Sequence, residues 1–269
     1  MTDVPTHYTR GNLDDAIVAA LRALGKDPDA LTPDDLAPVD HFHARGREAT
    51  LELARRAGIG RGARVVDVGG GLGGAARLLA AEHGCQVTVL DLTAEYCRVG
   101  EALTRRTKLQ HLVGFRQGDA LAMPFDEGAF DVAWTQHSSM NVPDKPALYR
   151  EIRRVLPAGG ALAMHEVAAG SRQPPHFPVP WAREPVLSHL QRPEALRALL
   201  RELGFRERQW EDQSAQTLAW VRQRQAAAAA SPLGLHLLLG DDVPAMFANF
   251  GRNLDEDRVR VVMAVWERP

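Results

Sequence analysis

A short apolar run, Arg64-Val65-Val66-Asp67-Val68, stops at Gly69-Gly70-Gly71-Leu72-Gly73-Gly74 and gives way to an Ala/Leu-rich stretch, Ala75 to His83. Such a run must turn through glycine-permitted backbone into a helix, whose N-terminus then faces whatever lies beyond the strand end. The beat recurs downstream. Val87 to Asp91 precedes a helical stretch at Ala94 to Lys108; Val113 to Gln117 and Phe130 to Thr135 follow; Lys145 to Leu156 leads into Ala161 to Val167. Short apolar strands alternating with helices predict an α/β fold with a parallel sheet covered on both faces.

The flanks read differently. Residues 1–62 read as a helical cap: Asn12 to Leu24 sets Leu13, Ile17, Ala20, Leu21 and Leu24 on one face behind Asn12 as a cap. Pro28, Pro33 and Pro38 predict turns, and a helix over Ala44 to Ala57 ends at Gly58. The main domain then spans 63–269. Within it, 168–192 is rich in Pro, Gly and aromatics and reads as a loop or lid. Pro193 to Leu203 predicts a helix closed by Gly204, Phe205 to Trp210 a strand, and Arg258 to Trp266 a terminal strand. Ala215 to Leu254, with its Ala226–Ala230 run, reads as a longer helical segment and a second lid.

Charge excludes one class of partner. With 32 Lys+Arg against 34 Asp+Glu the net charge is −2, which leaves no basic footprint for nucleic acid. Cys85 and Cys97 do not make a disulfide framework, and no apolar stretch approaches a membrane span. Met1 to Arg10 is polar, without a signal-peptide core, so a cytoplasmic location is expected.

The glycine turn alone is ambiguous. Gly69, Gly71 and Gly74 satisfy GxGxxG, and Asp91 stands where a ribose-binding acid would, as in a nicotinamide enzyme. Three features favour S-adenosylmethionine instead. Asp67 precedes the first glycine by two residues, where a pyrophosphate binder keeps an apolar residue; a ligand with an amine and a sulfonium tolerates an acid there. Gly118-Asp119-Ala120 closes the third strand with an acid able to accept from an adenine amine. Leu156-Pro157-Ala158-Gly159-Gly160 joins a helix to the fifth strand by a tight turn.

The ordered series DVGGGLGG (67–74), LDLT (90–93), GDALAMPF (118–125), FDVAW (130–134) and RRVLPAGGALAMHE (153–166) resembles the motifs of class I S-adenosylmethionine-dependent methyltransferases. The likeness implies a Rossmann-like doubly wound sheet of seven strands, mostly parallel with an antiparallel C-terminal strand. His41-Phe42-His43 with Gly46 and Thr50, then Trp134-Thr135-Gln136, Asp144-Lys145 and the stretch Phe177 to Ala182 are similar to the sarcosine/dimethylglycine N-methyltransferases. Tocopherol and phosphoethanolamine methyltransferases share a weaker version. The chain departs from them at His137-Ser138-Ser139-Met140-Asn141.

The resemblance implies roles for matched positions. Backbone at Gly69 and Gly71, with Asp67 nearby, would hold the methionine moiety; Asp91 would accept from ribose hydroxyls, with Leu92 against the adenine. Asp119 would accept from the adenine amine, with Ala120 and Leu121 completing that pocket, and Gln136 would lie near the methionine end. His137, just past the fourth strand, is the first candidate for base or acceptor orientation, followed by Glu166 and His165 at the end of the fifth. Tyr8 and Trp181 are candidates to close over the donor, and Arg183 to pair with an acceptor carboxylate. His41 and His43 lack a third ligand at suitable spacing, so no metal is expected and His43 reads as a lid contact or helix cap. The expected acceptor is a small molecule, an amine by resemblance, with carbon or oxygen methylation as the alternative. A nicotinamide-dependent oxidoreductase and a non-catalytic donor-binding domain are the rivals. Monomer and homodimer both remain compatible with the sequence.

Overall fold

The computed structural model describes residues 11–226 and 231–269. Seven strands, β1 (Arg64–Val68), β2 (Gln86–Asp91), β3 (Val113–Gln117), β4 (Val132–Gln136), β5 (Ala161–Ala169), β6 (Arg206–Asp212) and β7 (Val259–Glu267), form one sheet in the order β3-β2-β1-β4-β5-β7-β6. The first five pair in parallel and β7 runs antiparallel to both neighbours. This is the doubly wound Rossmann-like fold, with the strand order reversing between β1 and β4, the point where such sheets open a crevice.

The sheet is covered on both sides, so its central strands are apolar almost throughout. On one face Val66, Leu162 and Met164 meet Leu148 and Ile152 of α6 (Lys145–Val155) and Leu196 of α7 (Pro193–Glu202). On the other, Val65, Trp134 and Ala163 meet Leu53 of α3 (Gly46–Ala57) and Leu79 of α4 (Gly74–His83). Successive strand residues point to opposite faces, so His165 and Glu166 of β5 project to opposite sides of the sheet.

The N-terminal segment docks beside the crevice. Leu13, Ile17 and Leu21 of α1 (Leu13–Ala23) and Leu36 of α2 (Pro33–Asp40) pack with Tyr96, Val99 and Leu103 of α5 (Ala94–Arg106). Asn12 precedes α1, but its side chain makes no capping bond. The proline stretch is more regular than the sequence predicts. Thr32 and Asp35 form a reciprocal capping box and Pro33 supplies the first-turn φ, so α2 forms despite Pro38. A salt bridge of 2.7 Å between Arg77 of α4 and Asp40, both buried, locks α2 to the helix after the glycine turn.

The predicted long helix after Ala215 is broken. α8 (Ser214–Ala226), α9 (His236–Leu239) and α10 (Val243–Asp255) replace it, separated by Pro232, Gly234 and Gly240, the last at φ 80. Residues 227–230 of the alanine run lie outside the described residues. Among the described residues no helix is long and apolar enough to cross a membrane.

Candidate active site

The loops at the C-terminal ends of β1 to β4 open into a cavity of about 310 Å³. Its floor is the glycine turn. Gly69 has φ 72, and a Cβ there would stand 2.5 Å from the Ser138 Cβ, so the turn after β4 packs directly against it. Gly74 answers a second packing demand: a Cβ would come within 2.4 Å of the Asp40 carbonyl oxygen at the end of α2. The third glycine of GxGxxG is thus required by the docked N-terminal segment, independently of any pyrophosphate.

Two carboxylates flank the turn. Asp91 is oriented by backbone donors: the Gly71 N–H donates to Oδ2 at 2.9 Å and the Thr93 N–H to Oδ1 at 2.8 Å. Burial still raises its pKa. Asp67 is 2% exposed and its Oδ2 has no hydrogen-bond partner among the described residues. Burial, and then the charge of Asp91, push the Asp67 carboxyl up to about 7. Leu92 is exposed at the rim. Asp119 is exposed, its Oδ1 accepting from the Leu121 N–H at 2.8 Å, and lines the cavity with Ala120 and Leu121.

Gln136 is fixed by its neighbours. Its Oε1 accepts from Trp134 Nε1–H and Thr50 Oγ1–H, both at 3.0 Å, so the amide nitrogen is the free end, and it has no partner among the described residues. Thr50 also lies 2.9 Å from His43 Nε2, which reaches the Gly46 carbonyl at 3.1 Å. His43 therefore braces the start of α3 and, through Thr50, the Gln136 amide.

His137 follows in the left-handed region, φ 51, held by its N–H donating to the His165 carbonyl at 2.9 Å. His137 is among the residues lining the cavity; its Nε2 is buried and unpartnered among the described residues, and its ring lies 4.8 Å from that of His165 and 6.4 Å from that of His43. Burial pushes His137 down to about 3, and holds His43 and His165 far below the usual imidazole range. All three rings are uncharged at neutral pH.

The remaining candidates divide. His165 pairs in register with Gln136 and sits fully buried behind His137, off the cavity wall. Glu166, its neighbour on β5, points to the opposite face and accepts from the N–H groups of Ser138 and Ser139 at 3.3 and 3.2 Å. It supports the turn that carries His137 and does not line the cavity. Trp181 lines the cavity, buried, edge-on to Phe250 at 5.7 Å, with Nε1 donating to Ser188 Oγ. Arg183 is spent elsewhere, on Asp242 and the Leu239 carbonyl, and does not line the cavity. Tyr8 lies outside the described residues.

Residues 66–164 match the family model described as methyltransferase domain. Over that stretch, rather more than a third of the chain, it is similar to a methyltransferase domain. Sarcosine/dimethylglycine N-methyltransferase of Halorhodospira halochloris is 31% identical over 183 residues, 68% of this chain and 65% of that protein. Chloroplastic tocopherol O-methyltransferase of Arabidopsis thaliana is 35% identical over 99 residues, 37% of this chain and 28% of that one. The chain thus spans less than two thirds of the length of either relative. Among solved structures, the [4+2]-cyclase SpnF superposes with a TM-score of 0.70 and 25% identity, covering 96% of this chain and 95% of that one.

Outside the methyltransferase motifs, the sequence left the far wall unread. Trp220 and Arg224 of α8 and Phe247 and Phe250 of α10 line the same cavity. Their only local signals were i,i+4 and i,i+3 spacings, which buried helix faces also show.

Proposed function

We propose that the chain transfers a methyl group from S-adenosylmethionine to a small-molecule acceptor held between the β4 turn and the α8–α10 wall. The observation that carries this is the buried, unpartnered Asp67 carboxylate beside Asp91 at the glycine turn. Two clustered acids repel a pyrophosphate and suit a cationic nucleoside, which argues against the nicotinamide alternative. When bound, S-adenosylmethionine supplies an electrophilic methyl on a sulfonium, so no protein nucleophile is required. Asp91 would hold the ribose hydroxyls, Asp119 the adenine amine, Leu92 the adenine face, and the free Gln136 amide N–H a carboxylate at the methionine end.

His137 orients the acceptor. An imidazole at about 3 is protonated in only about one molecule in 10⁴ at pH 7, so it is a weak base but a permanent hydrogen-bond acceptor. Its unpartnered Nε2 accepts from the O–H or N–H of the acceptor and turns the lone pair toward the methyl. His165 and Glu166 are positioning residues, the first behind the ring and the second beneath its turn. Trp181 closes the acceptor side against water. The resemblance to sarcosine/dimethylglycine enzymes supports an amine nitrogen; the aromatic walls, Trp181, Phe247 and Phe250, support a larger oxygen or carbon acceptor. The two free, buried thiols support action in a reducing, cytoplasmic setting.

Methyl transfer is tested in two steps. Saturating S-adenosylhomocysteine should raise Tm, by about 2.7 kcal/mol of stabilisation at 100 times its Kd, while NAD should not. Labelled S-adenosylmethionine should then pass its methyl to members of a panel of amines, phenols and carbon acids. A shift with NAD and none with S-adenosylhomocysteine would refute the assignment. A second reading, cyclisation without methyl transfer, is favoured by the SpnF likeness over nearly both whole chains. Turnover of a polyene without label transfer would select it.

A further inference from the structure

Arg224 is the one Lys or Arg among the described residues that line the cavity. The other charged lining groups, Asp40, Asp67, Asp91 and Asp119, are all acids. Its guanidinium lies 5.5 Å from the Trp220 ring centre and 5.8 Å from that of Phe247, flanked by one ring from α8 and one from α10. The two aromatic rings fix its position without consuming its N–H donors. No carboxylate or carbonyl among the described residues accepts from it, whereas Arg183, the residue expected to bind an acceptor carboxylate, is paired with Asp242. Arg224 is exposed, on the open side of the cavity, and the partial desolvation beside the two rings holds it below the ordinary arginine range.

We propose that Arg224 binds an anionic group, carboxylate or phosphate, on a methyl acceptor whose apolar body lies along Trp181, Phe247 and Phe250. The inference rests on the acceptor site proposed above and adds the acceptor class: an amphipathic acid. A guanidinium meets a carboxylate or phosphate through two parallel N–H···O bonds, so the anion sets orientation as well as affinity. The cavity is then divided by charge, with acids around the cationic donor and a cation for the acceptor's anion.

The test uses the full chain saturated with S-adenosylhomocysteine. Calorimetry compares 4-octylbenzoate with 4-octylbenzyl alcohol, and decyl phosphate with decanol. At least one acid should bind tenfold or more tightly than its alcohol, and the pair that does so distinguishes carboxylate from phosphate. Arg224→Gln should abolish that preference and Arg224→Lys should keep part of it, with the S-adenosylhomocysteine Kd unchanged in both. Equal affinities within both pairs, no binding by any probe, or a preference that survives Arg224→Gln overturns the assignment. Loss of S-adenosylhomocysteine binding by the unmodified chain, with the acid preference intact, would instead strike the methyltransferase reading and leave the anion site standing.

Discussion

Lowering the pH from 8 to 5 titrates Asp67 and should move donor affinity and protein stability in opposite directions. The carboxyl is raised to about 7, first by burial and then by Asp91. A cationic donor binds the ionised form, so affinity for S-adenosylmethionine should be level above pH 7 and fall tenfold per unit below it. Between pH 7 and 5 that is about 100-fold, at 1.36 kcal/mol per unit. The empty protein behaves inversely. Its folded carboxyl holds a proton more tightly than the unfolded chain does at 3.8, so the stabilisation is complete below about pH 4 and lost as pH rises toward 7. The full span is about 4 kcal/mol. Glu166, raised to about 7 by burial, adds a stability slope of the same sign but no donor dependence. Asp91, also raised by burial, adds a further slope of that sign; Asp67→Asn should flatten the affinity profile and remove its own share of the combined stability slope. Calorimetric titrations at half-unit steps, with urea unfolding in parallel, read both curves. A wild-type affinity that stays constant from pH 8 to 5 would show that Asp67 does not face the donor, and an unchanged stability slope in Asp67→Asn would show that its carboxyl is not raised.

Gly69→Ala places a methyl 2.5 Å from the Ser138 Cβ in left-handed backbone; about 1–3 kcal/mol of stability should be lost, together with donor binding, as read by thermal unfolding and calorimetry. Arg77→Ala leaves the buried Asp40 carboxylate without its 2.7 Å partner and should cost about 3–5 kcal/mol in urea unfolding. Asp40→Asn with Arg77→Met should cost clearly less, because no uncompensated charge remains. A single-variant loss below about 1 kcal/mol would mean that the clasp does not hold the N-terminal segment. His137→Ala should lower kcat with the donor Kd unchanged, and the wild-type kcat should show no inflection from this ring between pH 5 and 9, since it titrates at about 3.

The donor half of the site was legible in the chain because its parts are local. Asp67, Gly69 and Gly71 share one strand-to-helix turn, Asp91 and Leu92 end the next strand, and Asp119 to Leu121 the third. A parallel sheet brings successive strand ends to one rim without further instruction. Strand alternation was also present in the sequence and already divided His165 from Glu166, since neighbours on β5 face opposite sides. The acceptor half depended on where separate helices dock. Whether Arg183 or Arg224 remains free for an anion turns on Asp242 and on a Trp220–Phe247 pair joining α8 to α10, segments the periodic pattern ran together as one helix. Likewise Gly74 is explained by Asp40, thirty-four positions earlier. Contacts of such range follow from three-dimensional packing, which local backbone preference does not encode.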